Sequence, residues 1–287
     1  MIKVSYLVSY DYYMLLTSIK QLYQHVDKII IAVDKDFKTW SGNTFEISDS
    51  FFEKVRAYDS RNIIEFYFDQ FYIPSLTPME CESRERNMVL KKLGKGWKIQ
   101  LDVDEYVYEF KEVKKYLNKY WFLTLFPKYT PLCIQGNLVT LYRELSDGYL
   151  FIDNNESFPF ITNQTSNTHT RRNNTVRNHN ANIKVIHQSW ARPENEIVKK
   201  IKNWGHRDDF DTQHYFEFWK NLNSTNYMNY INIHPIVPEV WKKLNFIHAN
   251  SIDDFINTFA VTNHQVLRDL SKIKILKSIV KKIIGRE

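Results

Sequence analysis

The chain has 287 residues, 43% of them hydrophobic and 25% charged, a balance that suits a folded core and excludes wholesale disorder. A formal charge of +6 favours an anionic partner without choosing among nucleotides, nucleic acid and acidic lipid. Two cysteines, Cys81 and Cys133, imply no disulfide framework, and neither a secretory signal nor a run near the roughly 20 apolar residues of a spanning helix is found, so a cytoplasmic protein, soluble or at most lying on a membrane, is expected.

Ile2–Val8 is β-branched and apolar and predicts a buried strand. Met14, Leu15, Ser18, Ile19, Leu22 and Val26 follow at helical spacing, and Lys28–Val33 predicts a second strand closed by Asp34. A helix is predicted over Asp49–Tyr58 and a third strand near Asn62–Phe68. Glu80–Leu93 has helical periodicity stopped by Gly94 and Gly96, and Trp97–Leu101 predicts a fourth strand. This alternation indicates an α/β fold with a mostly parallel sheet flanked by helices. Ligands of such sheets bind beyond the carboxyl ends of the strands. Asp34, Asp102 and Asp104 all fall there.

The second half changes character. Trp121–Tyr142 and Gly148–Ile161 predict strands with no helix between them, and Thr162–Asn182 predicts a long polar loop. Ile183–Ile186 predicts a short strand ending at His187. Helices are predicted from Pro193 to about Trp204 and over Thr212–Leu222. The last fifty residues read as helical and basic, which divides the chain into a main domain over 1–235 and an extension over 236–287. In the tail, Ser271–Glu287, Ile273, Leu276, Val280 and Ile283 form one helical stripe beside Lys274, Lys277, Lys281 and Lys282. Such a helix suits an anionic membrane surface, or docking on its own domain or a second subunit.

Asp102 and Asp104, two residues apart at a strand end, share a face while the strand persists. Two carboxylates so placed repel unless a cation or hydrogen-bond donors compensate. Mg²⁺ or Mn²⁺ would do so with a diphosphate supplying further oxygens, and would stabilise a departing nucleoside diphosphate. The alternative is a solvated acidic turn.

Arg84-Glu85-Arg86-Asn87, a helix, and then Trp97-Lys98-Ile99-Gln100-Leu101-Asp102-Val103-Asp104-Glu105 together resemble the donor-binding core of family 2 glycosyltransferases with the GT-A fold. Those enzymes show an R-N pair opening a helix and a hydrophobic strand ending in D-x-D. The likeness covers roughly residues 1–110 and thins to about 210. It departs at Ser9-Tyr10-Asp11, where the family has N-E. The resemblance implies that Asp34 contacts the uracil or ribose of a nucleotide sugar. It further implies that Arg86 and Asn87 position the diphosphate or sugar, that Asp102 faces the ribose or donor sugar, and that Asp104 binds the metal directly. Read as bare residues, Asp34 also suits a turn cap, and Arg86 an ion pair with Glu82 one helical turn back.

His187, in Ile186-His187-Gln188-Ser189-Trp190-Ala191-Arg192-Pro193 ahead of a Lys-rich helix and Gly205-His206, resembles the late histidine that completes the metal site in this group. Imidazole would tilt the choice toward Mn²⁺. An inverting transfer needs a base for the acceptor hydroxyl. Asp153 and Glu156, read as acidic loop residues, are the candidates, Glu156 first. Arg171, Arg172 and Arg177 read as phosphate-covering residues or, preferentially, as ordinary loop charges; Glu105 only closes the motif.

The expected function is metal-dependent transfer of a sugar from a nucleotide-diphosphate donor, a UDP-sugar foremost, to a glycan or lipid-linked acceptor. A nucleic-acid- or glycan-binding protein without catalysis and a nucleotide-sugar hydrolase are the competing readings. No nucleic-acid partner is expected, because the charge is spread along the chain. A nucleotidyltransferase is disfavoured by the missing glycine-rich phosphate loop in a chain with only 7 Gly.

Overall fold

The computed structural model of the protein describes residues 1–203 and 210–271. Gly205-His206 and the predicted amphipathic tail from Lys272 onward lie outside the described residues. Four apolar strands form a parallel block: β1 (Ile2–Val8), β2 (Lys28–Asp34), β3 (Ile64–Asp69) and β4 (Trp97–Asp102). Their order is β3-β2-β1-β4, with Leu7 opposite Asp102 and Asp34 opposite Asp69. The crossovers carry α1 (Leu15–Leu22), α2 (Asp49–Tyr58) and α3 (Pro78–Leu93). From β1 the chain winds outward to β2 and β3, then returns to the opposite side of β1 as β4. The carboxyl ends of β1 and β4 therefore flank a topological switch point, the place where open sheets of this kind bind ligands.

Further along come β5 (Glu105–Tyr106), α4 (Phe110–Lys119), β6 (Leu132–Leu145), β7 (Gly148–Thr162) and β8 (Arg177–His187). They are followed by α5 (Glu194–Asn203), α6 (Thr212–Asn221), β9 (Asn245–His248) and α7 (Ile252–Thr262). The result is the expected α/β architecture, a nine-stranded, mostly parallel sheet flanked by helices. Its order is β3-β2-β1-β4-β7-β6-β8-β5, with β9 on β7; the β4–β7 and β7–β9 pairs are antiparallel.

The chain divides into two compact units, each discontinuous in sequence. Among the described residues, the first holds Met1–Gly136, Phe158–Ile183 and 266–271; the second holds Asn137–Ser157, 184–203 and 210–265. A boundary at residue 235 thus falls inside the second unit. In the first, Leu7, Ile30, Ala32, Phe71, Val89 and Leu93 form one apolar cluster under α3. The second is built on aromatic residues, with Tyr142, Trp190, Tyr215, Trp219 and Trp241 in a single buried cluster.

Helix α3 shows how local chemistry places the site. Thr77 caps it: its Oγ1 accepts from Glu80 N at 3.3 Å, while Glu80 Oε2 accepts from Thr77 N at 2.8 Å. This reciprocal capping, with Pro78 at the first helical position, anchors the helix start, a cap of this kind contributing about 1 kcal/mol. Gly96, at φ +104, lets the chain enter β4 against β1, because a Cβ there would stand 2.7 Å from the Met1 carbonyl oxygen.

Several sequence expectations are corrected. Helix α4 was not anticipated; it starts at Glu109, held at φ 47 with no side-chain cap, although Phe110, Val113, Tyr116 and Leu117 form its buried face. Trp121–Thr124 is a 3-10 turn, so the strand predicted from Trp121 begins only at Leu132. Strand β8 begins at Arg177, inside the predicted loop, which shortens to residues 163–176. Asp153 and Glu156, read as loop acids, lie within strand β7, which matches the strand expected over Gly148–Ile161. The last fifty residues contain a strand, β9, and among the described residues one α-helix, α7.

Candidate functional site

Strand β4 ends at Asp102, and the turn through Val103 and Asp104 leads directly into β5. Asp102 is held from both sides. Arg86 Nη2 donates to its Oδ1 at 2.8 Å, and Arg171 Nη2 donates to its Oδ2 at 3.2 Å. Its backbone N–H donates to Glu105 Oε2 at 3.0 Å. The Asp102 side chain remains 31% exposed. Burial alone would raise its carboxyl, as would the neighbouring Asp104, but the Arg86 and Arg171 guanidiniums outweigh both and hold it below the ordinary aspartate value.

Arg86 reaches this position because α3 turns that face inward; its side chain is only 1% exposed. Its Nε donates to Glu82 Oε1 at 2.8 Å, so the helical ion pair read from sequence and the contact with Asp102 both exist. Its Nη1 is buried without a hydrogen-bond partner, a costly state for a guanidinium and a point of unspent donor capacity beside Asp102. The preceding Glu85 accepts from Trp40 Nε1 at 2.6 Å. Burial pushes the Glu85 carboxyl up to about 8, while the Trp40 bond and Arg86 pull the other way.

Arg171, in the 163–176 loop, does not behave as a solvated loop charge. It forms a two-pronged pair with Glu105, Nη1 to Oε2 at 2.6 Å and Nη2 to Oε1 at 2.9 Å, and its guanidinium lies 5.1 Å from the centre of the Phe158 ring. Glu105 is fully buried. By sequence alone Glu105 only closes the motif and Arg171 is preferentially a loop charge; together they form the most enclosed ion pair of the cluster. The available signal was the third acid in D-V-D-E, which in a strand-end turn needs a cation.

Asn87 ties the same loop down. Its Nδ2 donates to the Asn167 carbonyl at 3.2 Å, and its Oδ1 accepts from Asn167 N at 2.6 Å. Asn167 Nδ2 in turn reaches Gln100 Oε1 at 3.2 Å, and Gln100 Nε2 donates to the Arg86 carbonyl at 3.0 Å. Asn87 therefore acts on the site through the loop that delivers Arg171.

Asp34 closes β2 as predicted, and its buried carboxylate organises backbone. Oδ1 accepts from the N–H groups of Asp36 and Lys38 at 3.0 and 3.2 Å, and Oδ2 from those of Phe71 and Tyr72 at 2.8 and 2.9 Å. This is the turn-capping arrangement its sequence position allowed. Asp104 is buried in the turn after β4.

The other predicted residues belong to the second unit. His187 ends β8 and is half-buried. Asp153 pairs with Lys184 Nζ through Oδ2, while its Oδ1 is buried without a partner. Glu156 Oε2 accepts from Trp241 Nε1 at 3.4 Å.

The sequence assigned a divalent ion to Asp102, Asp104 and His187. Among the described residues, no three His, Cys, Asp or Glu side chains converge on a metal position. Asp102, moreover, has each oxygen engaged by a guanidinium. The donor set therefore does not fit an ion held by Asp102, whose carboxylate is already paired with two guanidiniums.

No family model matches the chain, and no curated protein matches it. Among solved structures, the mannosyltransferase PcManGT from Pyrobaculum calidifontis, in complex with GDP-Man and Mn²⁺, overlaps 99% of this chain and 74% of its own at 6% identity and a TM-score of 0.41. Mannose-6-phosphate isomerase from Helicobacter pylori overlaps 52% of this chain and 55% of its own at 13% identity and a TM-score of 0.32. S. aureus TarS 1–349 overlaps 50% of this chain and 37% of its own at 13% identity and a TM-score of 0.30. The chain thus spans about half of the isomerase and about a third of the TarS fragment. No helix among the described residues is long and apolar enough to cross a membrane.

Proposed function

We propose that the chain is a glycosyltransferase of the GT-A type that takes a sugar from a nucleotide-diphosphate donor. The observation that carries this reading is the position of Asp102-Val103-Asp104-Glu105 at the switch point between β1 and β4, with Asp102 oriented by two guanidiniums and still partly exposed. An acid fixed in this way and held ionised is suited to accept hydrogen bonds from donor hydroxyls. Beside it, the chain leaving β1 presents Tyr10 and Tyr13, each about half exposed, as rings suited to stack on a base or sugar. Asp102 faces the ribose or sugar of the donor, and Asp104 the diphosphate end.

In the reaction, an acceptor hydroxyl oxygen bonds to the anomeric carbon as the bond from that carbon to the diphosphate oxygen breaks. The nucleoside diphosphate leaves with the electron pair, and the hydroxyl proton passes to a carboxylate. Glu156 is our assignment for that base, because Lys184 already neutralises Asp153, whereas the Glu156 carboxylate accepts from the neutral Trp241 indole. The acceptor is a glycan or lipid-linked glycan, and the transfer inverts.

Release of UDP, GDP, CDP or TDP from a panel of nucleotide sugars, followed with and without Mn²⁺, tests the reading. One donor should turn over, and Asp104→Asn should abolish that turnover while leaving the fold intact. A panel in which no donor is consumed and no nucleotide binds would sink it.

A further inference from the structure

Arg171 bonds to Asp102 and Glu105, two members of the acid cluster to which the sequence assigns a metal ion. Its guanidinium uses both terminal nitrogens on the fully buried Glu105, at 2.6 and 2.9 Å, and also reaches Asp102 at 3.2 Å. Arg86 takes the other Asp102 oxygen at 2.8 Å. The loop holding Arg171 is fastened at several points. Asn87 brackets the Asn167 backbone, the Asn167 side chain reaches Gln100 of β4, and Thr170 N donates to Ser83 Oγ of α3 at 2.9 Å. Phe158 lies against the guanidinium. These bonds tie the stretch just before Arg171 to the two elements that carry Arg86 and Asp102, so its placement is specified rather than incidental.

We propose that Arg171 is a built-in cation of the strand-end acid cluster, and that it and a divalent ion are alternatives at Asp102. The proposal deepens the glycosyltransferase reading, and its consequence for donor binding rests on that reading. An ion entering at Asp102 would have to share the carboxylate with two guanidiniums, and charge repulsion at such short range opposes binding strongly even in a partly solvated site. Arg171 thus sets how far the enzyme depends on a metal. With it in place, donor binding requires no added ion; with it removed, Asp102 and Glu105 become a carboxylate pair open to Mn²⁺.

The test uses Mn²⁺ alone on the full chain, with free ion counted by electron paramagnetic resonance and heat of binding by calorimetry. Arg171→Gln should bind Mn²⁺ about tenfold or more tightly than the wild type and should show a Mn²⁺-dependent rise in Tm that the wild type lacks. Arg171→Lys retains the charge and should show no gain. Asn87→Ala loosens the loop but keeps the guanidinium, and should also show none. If Arg171→Gln leaves Glu105 too poorly compensated to fold in EDTA, the expected result becomes refolding on addition of Mn²⁺. The proposal is overturned if Arg171→Gln gains no Mn²⁺ affinity and no refolding, or if Asn87→Ala gains as much. Binding of UDP, GDP, CDP and TDP to the same samples separates the two claims. Nucleotide binding without the Mn²⁺ gain defeats this proposal alone. The Mn²⁺ gain without any nucleotide binding defeats only the glycosyltransferase reading.

Discussion

Replacing Glu85 by Gln should flatten the pH dependence of stability between about pH 4.5 and pH 8. Glu85 is buried on α3 next to Arg86 and accepts the Trp40 indole N–H at 2.6 Å. Burial raises its carboxyl from 4.5 to about 8; the Trp40 bond and Arg86 act in the opposite direction, and Asp34 and Asp102 add to the rise. Across that window the folded protein retains a proton that the unfolded chain releases. The corresponding stability is present in full below pH 4.5 and is lost as pH rises through about 8. A rise of about 3.5, at 1.36 kcal/mol each, amounts to about 5 kcal/mol in full above pH 8, with about 4 kcal/mol lost by pH 8 and about 3 kcal/mol at pH 7. Gln keeps an acceptor for Trp40 and cannot ionise. Any cost of placing its extra N–H groups is independent of pH and shifts the curve without tilting it. Urea unfolding of both proteins, followed by circular dichroism from pH 4.5 to 8.5, should show the variant gaining on the wild type by several kcal/mol across the series. A difference that stays constant with pH would refute the reasoning.

Three further outcomes follow from the same geometry. Arg86→Met should cost about 3–5 kcal/mol of stability, because Asp102 and Glu82 lose a buried partner; a loss below about 1 kcal/mol in chemical denaturation would contradict the arrangement. Gly96→Ala should destabilise by about 2 kcal/mol or more, since φ is +104 and the new Cβ meets the Met1 carbonyl oxygen at 2.7 Å; an unchanged Tm would count against that close approach. Glu156→Gln should slow transfer on the order of 10²-fold or more while leaving nucleotide affinity unchanged, and undiminished turnover would remove Glu156 as the base.

The parallel half of the sheet was legible because its strands are continuous apolar runs and its helices are punctuated. Gly94 and Gly96 mark the end of α3, whereas its start at Pro78, capped by Thr77, falls two residues before the Glu80 that periodicity gives. The acid cluster was legible for the same reason, since the β4 run stops at Asp102. What escaped depends on partners distant in sequence. The first half of β8, Arg-Asn-His-Asn-Ala-Asn, is too polar to read as strand, and it becomes one because sheet neighbours satisfy its backbone. The apolar run from Trp121 lacks those neighbours at its start and forms a 3-10 turn instead. Helix α4 offers no capping signal, although its apolar spacing was readable. Arg171 lies 66 residues from Glu105, and no local pattern distinguishes it from Arg172, which stands beside it in the same polar loop. Asp34 shows the converse: its place at a strand end was read correctly, while its four backbone partners come from two loops that sequence does not bring together.

The claim that Asp102 marks a nucleotide-sugar site is tested most directly by calorimetry of UDP, GDP, CDP and TDP against the wild type and Asp102→Asn, each with and without Mn²⁺. One of the four nucleotides should bind the wild type, EDTA should leave this binding intact, and Asp102→Asn should weaken it at least about tenfold, the loss of a charge-assisted hydrogen bond. No binding of any of the four to the wild type, or equal binding to Asp102→Asn, would contradict the claim.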